Sequence, residues 1–105
     1  MKVLKFAVFT FFVFFTMGFS SCSGSSPGNE KADGAGLYKK HCRLCHGVDG
    51  TLGLSGAADL SRSALSPEDT RRVIESGRRT MQAFDGVLNE EEIKAVTDYV
   101  ISLRR

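Results

Sequence analysis

The five residues Cys42-Arg43-Leu44-Cys45-His46 constrain this chain more than any others. Two thiols three positions apart lie on neighbouring turns of a helix, and an imidazole follows directly. Four chemistries use such a pair. A zinc site needs four ligands, and outside the pair only Cys22, His41 and His46 offer further soft donors. A thioredoxin-like redox pair sits beside a βαβ pattern, and no segment here has strand periodicity. A structural disulfide leaves His46 without a role. Covalent attachment of one c-type haem uses all three residues: each thiol bonds a vinyl group, and the histidine lies under the iron as an axial ligand.

The amino-terminal segment supplies the compartment such chemistry needs. Lys2 and Lys5 precede an apolar run over residues 6–19, FAVFTFFVFFTMGF. That run fits a secretory signal and is shorter than the roughly 20 residues of a membrane-spanning helix. Ser20, Ser21 and Cys22 follow. The order of apolar residue, two small residues and cysteine resembles a bacterial lipobox, and the resemblance implies that Cys22 is lipidated as the first residue of the mature protein. The expectation is a signal peptide over 1–21, export across the bacterial cytoplasmic membrane, and a lipid anchor facing the periplasm or cell surface. Export also delivers Cys42 and Cys45 outside the reducing cytoplasm.

Division of the chain changes its composition. The formal charge of +2 comes from 14 basic and 12 acidic side chains, and the surplus is Lys2 and Lys5. Residues 22–105 are therefore balanced, which argues against a nucleic-acid partner. Of the eight Phe, only Phe84 lies beyond residue 20; Tyr38 and Tyr99 are the other aromatics there, and Trp is absent. A small domain so poor in large apolar side chains needs a staple, and a covalently bound cofactor is one.

Residues 22–32, lipidated at the first position and rich in Ser and Gly, read as a flexible tether. The domain proper is expected over 33–105. Asp33 is a candidate N-cap for a first helix that carries Leu37, Tyr38, Cys42 and Cys45 and ends at His46-Gly47. Residues 47–64, with Gly47, Gly50, Gly53 and Gly56, read as a loop wrapped around something. Ser66-Pro67-Glu68-Asp69 is a helix start, and Gly77 its stop; Val73 and Ile74 form the buried side. After a loop over 78–88, Asn89 caps a last helix with Glu90, Glu91 and Glu92 in its first turn. Ile93, Val96, Tyr99, Val100 and Leu103 mark its apolar face.

An electron-carrying haem usually has a sixth ligand, commonly Met. Met1 and Met17 belong to the signal, leaving Met81 in the loop between the last two helices. His41, on the same helix as His46, is expected at the surface. Arg71, Arg72, Arg78 and Arg79 cluster on the approach to Met81; a solvated basic face is the simpler account, a haem propionate or an acidic partner surface the other.

Taken together, residues 33–105 resemble a small class I cytochrome c. Gly34 and Tyr38 match the glycine and aromatic that precede the first cysteine in that family, where the first and last helices cross at right angles and the glycine meets an aromatic matched here by Tyr99. Gly77 with Arg78-Arg79-Thr80-Met81-Gln82-Ala83-Phe84 resembles the family's ligand loop, with Gln82 where members usually carry Pro. Gly56-Ala57-Ala58-Asp59-Leu60 lacks the Pro whose carbonyl holds the ligand histidine, although an Ala carbonyl can accept the same hydrogen bond. The resemblance implies an all-α fold of three or four short helices around one haem c, His46 and Met81 as axial ligands, and one-electron transfer between redox partner proteins rather than enzyme activity. An open-site haem protein, a gas sensor or peroxidase-like enzyme, is the alternative if Met81 does not reach the iron.

Overall fold

The computed structural model describes residues 31–105; the signal segment, Cys22 and nearly all of the tether lie outside the described residues. Four helices follow in order: α1 (Gly34–His41), α2 (Arg43–His46), α3 (Pro67–Ser76) and α4 (Glu90–Ser102). Two short 3-10 turns, Leu54–Gly56 and Leu60–Arg62, punctuate the glycine-rich segment. Among the described residues the only β-type pairing is an isolated bridge between Arg78 and Met81.

Local chemistry sets most helix ends. The Ser66 hydroxyl accepts from the Asp69 N–H at 3.0 Å, with Pro67 in the first turn and Gly77 at the end. Asn89 and Glu92 form a reciprocal capping box, both bonds at 2.9 Å, which satisfies two otherwise orphaned donors. Asp33 occupies the N-cap position of α1, but its side chain makes no capping bond. Its carbonyl still accepts from the Leu37 N–H at 3.0 Å, and its carboxylate packs over Gly36 instead.

The attachment segment is two helices, not the single one its spacing suggests. Cys42 breaks the path at φ −115° and ψ −35°. The reason is visible in the side chain of Tyr38, whose hydroxyl donates to the Gly47 carbonyl at 2.7 Å. On one straight helix those residues would lie about 13.5 Å apart along the axis, farther than a tyrosine extends. With the break at Cys42 and the turn at Gly47, the bond forms.

The core is built where α1, α3 and α4 meet. Tyr38, Ile74, Phe84, Leu88, Ile93, Val96 and Val100 are buried, with Leu37, Tyr99 and Leu103 packed against them. A Cβ at Gly34 would overlap the Ala95 carbonyl oxygen of α4, so the glycine is what allows the two helices to touch. Beside that contact the rings of Tyr38 and Tyr99 meet at 5.1 Å and 50°, a tilted geometry favoured by ring quadrupoles. Thr97, on the same side of α4 as the apolar face, is also buried and returns its hydroxyl proton to the Ile93 carbonyl at 2.7 Å. Arg104 ties α4 to α3 through Thr70 Oγ1 at 2.9 Å.

Candidate functional site

A cavity of about 470 Å³ opens beside this core. Cys42 lines it from the junction of α1 and α2, Cys45 and His46 from α2, Ile74 from α3, and Met81 and Phe84 from the loop that precedes α4. Aliphatic side chains, including Leu60, Leu65 and Val100, make up much of the remaining lining. The four side chains singled out from the sequence thus come from two distant segments and share one space.

His46 is held most firmly. It is 8% exposed, and its Nδ1 lies 3.1 Å from the Ala58 carbonyl oxygen. A carbonyl only accepts, so Nδ1 carries the proton and Nε2 keeps its lone pair. The ring is therefore oriented, by the carbonyl behind it, as a donor through Nε2. The loop reaches this position because the Leu52 N–H donates to the His46 carbonyl at 3.0 Å and the Leu60 N–H to the Gly50 carbonyl at 2.9 Å.

Cys42 and Cys45 are both free thiols. Burial pushes the Cys42 thiol up to about 11, and Cys45 beside it adds to the shift. A redox-exchange cysteine needs the opposite, a stabilised thiolate. Among the described residues no group of three or more His, Cys, Asp or Glu gathers around a common point, so the four-ligand set of a zinc site is not assembled there.

Met81 is placed by backbone rather than by a helix. Gly77, at φ +73°, lets the chain pass so closely that a Cβ would come within 2.5 Å of the Met81 carbonyl oxygen. Arg78 and Met81 then exchange N–H···O bonds at 3.1 and 3.0 Å across a tight turn. Arg79 within it takes φ +54°, a left-handed conformation that costs a non-glycine residue roughly 1–2 kcal/mol. The far end of the loop is pinned where the Phe84 N–H meets the Ile74 and Glu75 carbonyls at 3.0 and 3.1 Å.

Two sequence expectations need correction. His41 is half-buried rather than a surface residue; it lines the cavity and meets the Phe84 ring edge-on at 5.8 Å. The helix fixes its direction, but the loop folds over it. The four arginines do not act as one cluster. Arg71 is paired with Glu75 at 2.7 Å and Glu90 at 3.2 Å, and Arg72 with Asp69 at 2.8 Å. Arg78 and Arg79 instead lie at the cavity. The Tyr38 hydroxyl, to which the sequence assigned no role, is a further site element because it fixes the turn after His46; a phenol four residues before the first cysteine is its only signal.

Residues 29–100 match the family described as cytochrome c oxidase, cbb3-type, subunit III. The chain belongs to the c-type cytochromes. Cytochrome c6 of Euglena gracilis is 36% identical over 75 residues, covering 64% of this chain and 85% of that protein. Among solved structures, the KustC0563 c-type cytochrome superposes with a TM-score of 0.62 at 34% identity, covering 70% of this chain and 99% of the other. Cytochrome c6C from Synechococcus sp. PCC 7002 gives 0.58 at 29% identity, covering 66% and 90%. The all-α class I fold expected from the sequence is the observed one. This cytochrome is a c6-like electron carrier with covalently bound haem c. The cavity fits that group: two thiols and an oriented imidazole on one segment, a thioether on another, and aliphatic side chains between.

Proposed function

We propose that Cys42 and Cys45 form the two thioether links, that His46 Nε2 and Met81 Sδ are the axial donors, and that the cytochrome carries single electrons within a membrane-associated chain. The observation that carries this reading is the convergence of those four side chains on one cavity, with the His46–Ala58 bond leaving Nε2 as the free nitrogen. When bound, the haem supplies a one-electron couple. The polypeptide supplies a fixed environment for it. His46 cannot rotate without losing the Ala58 carbonyl. The Tyr38–Gly47 bond holds the end of α2, and Gly77 and Phe84 hold the two ends of the Met81 loop. A thioether donor favours reduced iron and raises the potential relative to a second histidine. Small rearrangement between oxidation states would follow from donors that the polypeptide holds on both sides of the cavity.

The lipobox-like order before Cys22 supports anchoring through lipid on Cys22, with signal peptide 1–21, tether 22–32 and domain 33–105. The carrier would then face the periplasm or the cell surface and meet its redox partners near a membrane. Labelling with radioactive palmitate tests the anchor: the wild type should carry label and Cys22→Ala none.

Optical spectra of the oxidised and reduced protein, with and without carbon monoxide, test the ligands. The ferric protein should show a weak sulfur-to-iron charge-transfer band near the red edge, and the reduced protein should bind carbon monoxide slowly. A missing band together with rapid carbon monoxide binding would establish an open site instead.

A further inference from the structure

Two lips meet over the cavity. One is the 3-10 turn Leu54–Gly56, the other the tight turn Arg78–Met81. Among the described residues one hydrogen bond joins the segment 47–65 to the loop 77–88: Thr80 Oγ1 donates to the Ser55 carbonyl at 3.2 Å. Strained backbone lies at its acceptor and next to its donor. Ser55 sits at φ +55° and Arg79, next to Thr80, at φ +54°, the two non-glycine residues with positive φ among those described. Such conformations persist where the surroundings hold them. Gly53 and Gly56 flank Ser55, with φ +66° and +80°, so the upper lip has left-handed backbone on both sides of the acceptor. Ser55 and Thr80 are themselves exposed, so water competes for the bond and little packing backs it.

We infer that Thr80 is a positioning residue: its hydroxyl latches the Met81 loop to the opposite lip and sets how readily an external ligand displaces Met81. The inference rests on Met81 being an axial donor. Released from Ser55, the turn 78–81 keeps its own pair of backbone bonds and its anchor at Phe84, so it swings as a unit while the fold stays intact. A single exposed hydrogen bond of this kind is worth about 1 kcal/mol, which corresponds to a change of roughly five-fold in the population of the opened loop.

The test compares wild type, Thr80→Val and Thr80→Ser, purified with haem. Valine keeps the branched shape and lacks the hydroxyl; serine restores it. Imidazole binding to the ferric protein is followed optically, and chemical denaturation is measured beside it. Thr80→Val should retain the sulfur-to-iron band, bind imidazole roughly five-fold more tightly and lose global stability by no more than that same factor in the folding equilibrium. Thr80→Ser should behave as wild type. Equal imidazole affinity in Thr80→Val and wild type would overturn the latch while leaving Met81 ligation intact. A loss of global stability with no gain in imidazole affinity would show that the hydroxyl serves the whole fold rather than the loop, and would overturn it too. Absence of the band from wild type would remove Met81 ligation, and the latch with it.

Discussion

The His46 and Met81 sides of the cavity are built differently. His46 is on a helix, buried, bonded to the Ala58 carbonyl, and followed by a glycine whose carbonyl is gripped by a buried phenol. Met81 is on a loop, half-buried, approached through a left-handed arginine, and linked to the other lip by one exposed hydrogen bond. Each tie on the first side has a buried partner, Tyr38 or His46, so an unmade bond is costly there, whereas the bond between the two lips joins exposed residues and competes with water. Unequal stiffness across a cavity suits a carrier that must keep one donor absolutely and tune the other.

The largest effect should come from removing attachment altogether. Cys42→Ser with Cys45→Ser leaves the seven-residue apolar core beside an unfilled space, and the protein should fail to fold stably. Circular dichroism and a haem stain after denaturing electrophoresis read both consequences; a folded, stain-negative protein would show that the core suffices alone. Tyr38→Ala comes next. It removes a core aromatic and the Gly47 tie, and should cost about 3–5 kcal/mol in chemical denaturation. Gly77→Ala should cost less, about 1–2 kcal/mol from forced positive φ with further strain at Met81, and should weaken the sulfur-to-iron band while the His46 side stays unchanged. An unaltered band would break the comparison, since the Met81 loop would then tolerate displacement of its entry.

Tyr38→Phe is the mildest change and isolates the hydroxyl. Loss of its bond to Gly47 should cost about 1 kcal/mol at neutral pH. The same group gives a pH dependence. Burial, with smaller effects from neighbouring thiol, phenol and carboxyl groups, raises Tyr38 from 10.0 to about 12. The folded state thus favours the neutral phenol, so its contribution is complete below pH 10 and is lost as pH rises toward 12. Denaturation across that window should slope downward in wild type and more gently in Tyr38→Phe.

Much of this was legible in the sequence because it is local. Ser66-Pro67, Asn89 with Glu92, and Gly77 announce helix ends through neighbouring atoms, and Cys42, Cys45 and His46 announce chemistry through spacing alone. The carbonyl behind His46 was legible as a class of partner through the resemblance of the loop 56–60 to its counterpart in class I cytochromes c. What stayed hidden joins distant segments. The break at Cys42 exists because Tyr38 reaches Gly47, His41 is half-buried because Phe84 folds over it, and Arg71 is withdrawn from its neighbours by Glu90. Periodicity carries no information about such meetings; they are decided when α1, α3 and α4 pack.

The bond between His46 and Ala58 has one further consequence. Its acceptor is main chain, so any side chain at position 58 can present the same oxygen. Substitution there is nearly free, provided the path of the loop survives. Evolution can therefore rewrite the residue behind the histidine without touching the interaction, and a search for a preserved side chain at that position would overlook it. The heritable quantity is the course of the backbone, carried by Gly50, Leu52 and Leu60 several residues away.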